Sequence, residues 1–203
     1  MVVLIHGLWM TGLEMALLEK RLQKDGFRTC RFSYRSMKDD LDKSAGELFQ
    51  FVEALGESTV HFVCHSLGGI VLNRMLASHR LGWKGRAVLL GSPLAGSRVA
   101  GILGGSRLGE MLIGRKLRDL LLECKMWPQG YEVGVVGGTL NLGAGLLFGG
   151  WRHPGDGLVT LDEIRVSGVK DVFLVRSTHL GLVFSSVCAR QTSYFLKNGS
   201  FRE

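Results

Sequence analysis

A serine hydroxyl attacks a carbonyl only when a neighbouring base takes its proton, and a histidine held by a carboxylate is the usual base. One serine of this chain sits where such help is expected. Ser66 lies in VHFVCHSLGG, residues 60–69: an apolar run, a His-Ser-Leu-Gly-Gly turn, then a helical pattern from Ile70 to Ser78. Strand, sharp turn and helix form the setting of a nucleophile elbow. The serine backbone is strained there, so its neighbours must be small. Gly68 and Gly69 meet that need on the far side. On the near side Cys64 stands where the G-x-S-x-G pattern has its first glycine.

The base candidate is His179 in VRSTHLGLVFSS, after the last strand signal and before the last helix. The acid candidate is Asp156 in RHPGDGLVTLDE, between the last two strands. An oxyanion forming on the substrate needs backbone donors. The amide of Leu67, just after the serine, and that of Leu8, just after His6-Gly7, are placed to supply them. A helix opening at Leu67 would add the positive end of its dipole. Trp9 and Met10 follow the oxyanion turn and are candidate substrate-binding residues.

Each residue also has a plainer reading. Ser66 could cap the helix that follows. Asp156 could serve only the Pro154-Gly155-Asp156-Gly157 turn. Asp162 is the rival acid, with Glu163 and Asp171 behind it. His65 is read as packing beside the elbow and His6 as shaping the oxyanion turn. His61, His79 and His153 are assigned structural or solvent roles.

These groups come from far apart in the chain, so a scaffold must gather them. Strand signals fall at Val2–Ile5, Phe27–Tyr34, Val60–Cys64, Arg86–Leu90, Glu132–Val136 and Asp171–Val175. Helical spacing occupies Thr11–Lys24, Asp40–Leu55, Ile70–Ser78 and Leu182–Leu196. Alternation of this kind predicts an α/β fold, a central and mainly parallel sheet of about six strands flanked by helices. Runs such as VVLI and AVLL fit strands buried on both faces. Ligands bind beyond the carboxyl ends of such strands, where Ser66, His179 and His6-Gly7 fall.

Two stretches break the rhythm. Residues 94–128 include the amphipathic pattern Leu108–Cys124, read either as a short lid or as an ordinary packed helix. Residues 134–150 are glycine-rich, and 137–153 are read as an apolar rim or as irregular backbone near the core.

At 203 residues and 46% apolar composition, the chain fits one domain, residues 1–203, with a full core. No apolar run reaches membrane-span length. The start MVVLIHGLWM lacks the marks of a signal peptide and reads as the first strand, which predicts a cytoplasmic location if the chain is complete. Cys30, Cys64, Cys124 and Cys188 are too dispersed for structural zinc and read as reduced thiols. The formal charge of +7 is spread along the sequence. With the basic residues dispersed and no aromatic-interleaved basic stripe, no nucleic-acid partner is expected, and the charge fits a solubility surface. It also allows weak peripheral contact with anionic membranes. No metal or organic cofactor is expected, and oligomeric state is not legible.

The pieces LIHGLW (4–9), VCHSLGG (63–69), LGSPLAGS (90–97), GDGLVTL (155–161) and STHLGL (177–182) together resemble the α/β-hydrolase superfamily, in particular its small bacterial lipases and esterases. The third piece resembles the G-T-P-H-x-G-S stretch of lipase-like members, with Leu94 in place of histidine. The resemblance runs from residue 2 to about residue 196. It implies an α/β-hydrolase fold without a large cap, and a triad of Ser66, Asp156 and His179 in the family's chain order. It implies cleavage of small-molecule or lipid carboxylic esters through an acyl-enzyme. A thioesterase, amidase or acyltransferase on the same fold remains open. So does a catalytically weak, hydrolase-like binding protein in which Cys64 has compromised the elbow.

Overall fold

A computed structural model describes residues 1–103, 126–143 and 153–202. Six parallel strands form one sheet in the order β2-β1-β3-β4-β5-β6. They are β1 (Val2–Ile5), β2 (Thr29–Phe32), β3 (His61–His65), β4 (Arg86–Leu90), β5 (Glu132–Gly138) and β6 (Asp171–Val175). The helices are α1 (Ala16–Lys24), entered through a 3-10 turn at Leu13–Met15, α2 (Leu41–Ala54), α3 (Leu67–Ser78), α4 (Arg98–Leu103), α5 (Gly181–Phe184) and α6 (Ser186–Asn198). The expected α/β architecture with a parallel sheet is therefore present.

Strand alternation sorts the core into two layers. Val3, Ile5, Phe62, Cys64, Ala87 and Leu89 face α2 and α3, where Leu48, Val52, Val71 and Met75 meet them. Val2, Leu4, Val63, Val88 and Leu90 face the opposite layer with Leu18, Leu22, Leu182, Phe195 and Leu196. The inner strands are buried on both sides, which is why VVLI and AVLL show no polar alternation. Each fully buried side chain of this size contributes roughly 1.5–3 kcal/mol. Helix α2 starts where Asp40 caps it, its carboxylate accepting from the Lys43 amide at 2.7 Å.

Boundaries differ from the sequence reading in several places: β2 is shorter than Phe27–Tyr34 and α1 shorter than Thr11–Lys24. Helix α3 starts at Leu67, where the elbow reading places it, although the apolar pattern begins only at Ile70 because of the glycines at 68 and 69. The last helix is two. Ser185 is extended (φ −69°, ψ 128°) and its hydroxyl accepts from the Cys188 amide, so α5 ends and α6 is capped at one residue. The glycine-rich stretch is in part a strand: residues 134–138 belong to β5. The Leu108–Cys124 pattern, residues 144–150 and Cys124 lie outside the described residues. Among the described residues, no helix is long and apolar enough to cross a membrane.

Candidate active site

Because all six strands are parallel, the segments that follow them emerge at one end of the sheet. Ser66 follows β3, His6-Gly7-Leu8 follow β1, Gly91-Ser92 follow β4 and His179 follows β6. The sequence folds this way locally because a buried strand runs directly into a helix with only one residue to turn on.

That residue is Ser66, with φ 53° and ψ −121°. Among the described residues only Trp9, at φ 59°, shares a positive φ without being glycine. Such backbone costs of order 1–3 kcal/mol and persists only where its surroundings enforce it. The Ser66 amide donates to the Leu90 carbonyl at 3.0 Å, which ties the turn to β4. Its hydroxyl makes no capping bond to α3, so the cap reading fails. The turn is tight on the helix side. A Cβ on Gly68 would sit 2.7 Å from the Ile5 carbonyl oxygen and 2.8 Å from that of His6.

His179 and Asp156 meet directly. Nδ1 of His179 lies 2.8 Å from Oδ2 of Asp156. A carboxylate oxygen accepts, so Nδ1 carries the proton and Nε2 keeps its lone pair. Asp156 is buried, and its other oxygen accepts from the amides of Leu158 (3.0 Å) and Val159 (2.8 Å). The turn that the plain reading assigned to Asp156 therefore exists, and it holds the carboxylate for His179. The main chains are joined as well, the His179 amide donating to the Asp156 carbonyl at 2.8 Å. The pair stands beside the elbow: the ring of His65, the residue before Ser66, is 4.7 Å from the ring of His179.

The rival acids are engaged elsewhere. Glu163 is buried and accepts from the amides of Arg98 and Thr160, both at 2.6 Å, fixing the start of α4. Asp171 accepts from the amides of Val172 and Phe201. The Asp162 carbonyl accepts from the Arg165 amide at 3.3 Å.

Leu67 opens α3, so its amide has no acceptor within the helix. Leu8 follows a turn clamped by Tyr34. The Tyr34 ring stacks on His6 at 4.5 Å, its hydroxyl donates to the His6 carbonyl, and its amide donates to His6 Nε2. Nδ1 of His6 then donates to the Gly7 carbonyl. Burial lowers the affinity of His6 for a second proton, so it shapes the turn as a neutral ring. Met10 turns back toward Gly7, where an added Cβ would lie 3.3 Å from its sulfur. Trp9 is 58% exposed.

Cys64 is fully buried in the layer that holds Phe32, Tyr34, Leu67 and Ile70. Burial pushes its thiol well above the usual range, so it packs as a small apolar side chain. Cys30 is half-buried and Cys188 is buried; both are free thiols.

Sequence reasoning missed Gly91. It has φ 59°, and a Cβ there would come 2.9 Å from Asp156 Oδ2 and 3.1 Å from His179 Nδ1. The signal was its place directly after a strand. Tyr34 was also missed, because nothing in its local pattern points to His6. Among the described residues no three His, Cys, Asp or Glu side chains gather as a metal site would.

Family comparison agrees with this architecture. The model of the alpha/beta hydrolase family matches residues 2–181, and the chain belongs to that family. The fold is similar to that of the Bacillus licheniformis lipase BlEst2 in mature form, with a TM-score of 0.73, 20% identity, and coverage of 90% of this chain and 85% of that one. It is also similar to the Pyrococcus furiosus esterase Pf2001 (TM-score 0.66, 16% identity, 97% and 81% covered). A third similar structure is the monoacylglycerol lipase of Paleococcus ferrophilus (TM-score 0.62, 16% identity, 96% and 93% covered). At these identities the likeness carries the fold alone. No curated protein matches the chain.

Proposed function

We propose that this hydrolase cleaves carboxylic esters with Ser66 as nucleophile, His179 as base and Asp156 as its orienting acid. The observation that carries the reading is the 2.8 Å bond between His179 Nδ1 and the buried Asp156 carboxylate, next to a serine held at φ 53°. With Nδ1 protonated, Nε2 takes the Ser66 proton as Oγ attacks the ester carbonyl. The amides of Leu8 and Leu67 receive the oxyanion. The tetrahedral intermediate collapses, and His179 returns the proton to the departing alkoxide. Water then attacks the acyl-serine with His179 again as base, and the free acid and Ser66 are regenerated.

Apolar side chains exposed near these groups favour a lipid-like or otherwise apolar ester. Trp9 follows the oxyanion turn, Leu180 follows His179, and Leu13 and Phe184 stand on the neighbouring elements. Trp9 and Met10 are the residues we assign to substrate contact. The +7 charge would assist at an anionic lipid surface.

The test is a panel of p-nitrophenyl esters of short and long acids, acyl-thioesters and anilides, each assayed with the wild type and with Ser66→Ala. Ester turnover that Ser66→Ala abolishes is the expected result. Preference for thioesters or anilides would reassign the substrate class. Turnover unchanged in Ser66→Ala would remove Ser66 from the mechanism.

A further inference from the structure

We infer that His65 is a positioning residue, holding the main chain of His179 against the nucleophile turn through a hydrogen bond to its carbonyl oxygen. The inference rests on the serine-hydrolase reading above and extends it by one residue.

The sheet does not bring His179 to Ser66. Strands β4 and β5 separate β3 from β6. At strand spacing that is roughly 14 Å between the strand that delivers Ser66 and the strand that delivers His179. The segment after β6 must therefore reach back across two strand ends, and something other than strand pairing must hold it there. The Leu140 amide holds the Ser177 carbonyl at 3.1 Å, and the main chain of His179 makes two further bonds. Its amide donates to the Asp156 carbonyl at 2.8 Å. Its carbonyl lies 3.1 Å from Nε2 of His65. One bond leads to the residue proposed as the acid and the other to the neighbour of the proposed nucleophile, so the three segments are joined at a single residue.

The chemistry of His65 fits this task. A carbonyl oxygen only accepts, so Nε2 is the protonated nitrogen and Nδ1 holds the lone pair. Nδ1 has no hydrogen-bond partner among the described residues. It faces the oxyanion turn instead, 3.2 Å from where a Cβ on Gly7 would stand. The ring is fully buried, and burial first, then the neighbouring His179, lowers its pKa to about 3. It stays neutral throughout the working range. It therefore presents a hydrogen-bond donor to the His179 loop and no positive charge to the imidazolium that forms during turnover. A bulky apolar residue would fill the same space without the donor.

Three substitutions separate the donor from the bulk. His65→Phe keeps a ring and removes the N–H. His65→Gln carries an amide N–H to nearly the place of Nε2. His65→Asn carries it only as far as Nδ1. With a p-nitrophenyl ester, we expect His65→Phe to lose about 30-fold in kcat with KM within about twofold, the equivalent of ~2 kcal/mol. His65→Gln should recover most of that loss, and His65→Asn should not. Should His65→Phe fail to fold, the ratio of kcat between the Gln and Asn variants carries the test. Wild-type kcat in folded His65→Phe overturns the inference, as do equal kcat values for Gln and Asn. Ser66→Ala is assayed alongside. If it is inactive while His65→Phe is unimpaired, only the role of His65 falls. If it is active, the serine reading and this inference fall together.

Discussion

Cys64 and Gly68 stand two residues before and two residues after Ser66, yet their surroundings make opposite demands. On the strand side there is room for side chains. Cys64 fills a place in the core layer under α2 and α3, and His65 sends a full ring the other way, to the His179 loop. On the helix side there is none, because α3 starts against the carbonyls of Ile5 and His6. The difference teaches where this elbow is tight. A G-x-S-x-G pattern places glycine on both sides, but here only the second glycine faces backbone. The cysteine is a core residue at a position that tolerates one, and it leaves Ser66 in its strained conformation.

That comparison can be broken from either side. Gly68→Ala should cost the most, about 3 kcal/mol, since its Cβ would lie 2.7 Å from backbone that cannot move without shifting β1. Chemical denaturation measures this, and a cost near zero would show that the helix side has slack. Cys64→Gly restores the pattern and should still destabilise by about 2 kcal/mol, from a lost buried side chain and a looser strand. Its turnover should not rise. A gain in kcat would mean that cysteine does distort the elbow.

Acid reports on the strand side. His61 and His65 are held near 4 and 3 in the fold, by burial above all, with the amino terminus and Arg86 adding for His61 and His179 for His65. Unfolded, both take up a proton below about pH 6.5. The unfolded chain then binds more protons than the native one, so stability rises with pH across this window. It should be complete above about pH 7 and fall as the pH drops from 6.5 toward 3. His65 alone accounts for ~1.4 kcal/mol per pH unit. Urea titrations at pH 7.5, 5.5 and 4.5 should show a shallower loss in His65→Gln than in the wild type. The smallest effect is expected at the turn itself. Ser66→Gly should gain about 1 kcal/mol by relieving the positive φ, whereas Ser66→Ala should be neutral. No gain in the glycine variant would mean that the turn stores no strain.

Much of this was legible in the sequence because buried parallel strands carry uninterrupted apolar runs. VVLI and AVLL marked β1 and β4 with little error, and DVFLV marked β6 although that edge strand is only half-buried. The elbow was legible for the same reason, since a strand that becomes a helix over one serine has few other readings. The start of α3 was legible only through the elbow, because glycines that allow close approach carry no periodicity. The break at Ser185 was hidden by apolar residues on both sides of it. At the site, Asp156 could be read as the acid from its order in the chain, but only contact with His179 separates it from Glu163, which caps α4. Tyr34 and Gly91 act through distant partners, so their local sequence could not announce them.

The most direct measurement is covalent labelling of the native protein with a fluorophosphonate, read by intact mass and peptide mapping. A strained serine with an oriented base should form one adduct, at Ser66, that is lost in Ser66→Ala and sharply slowed in His179→Ala. Folded wild-type protein that takes up no adduct, or takes it up elsewhere than Ser66, would contradict the account.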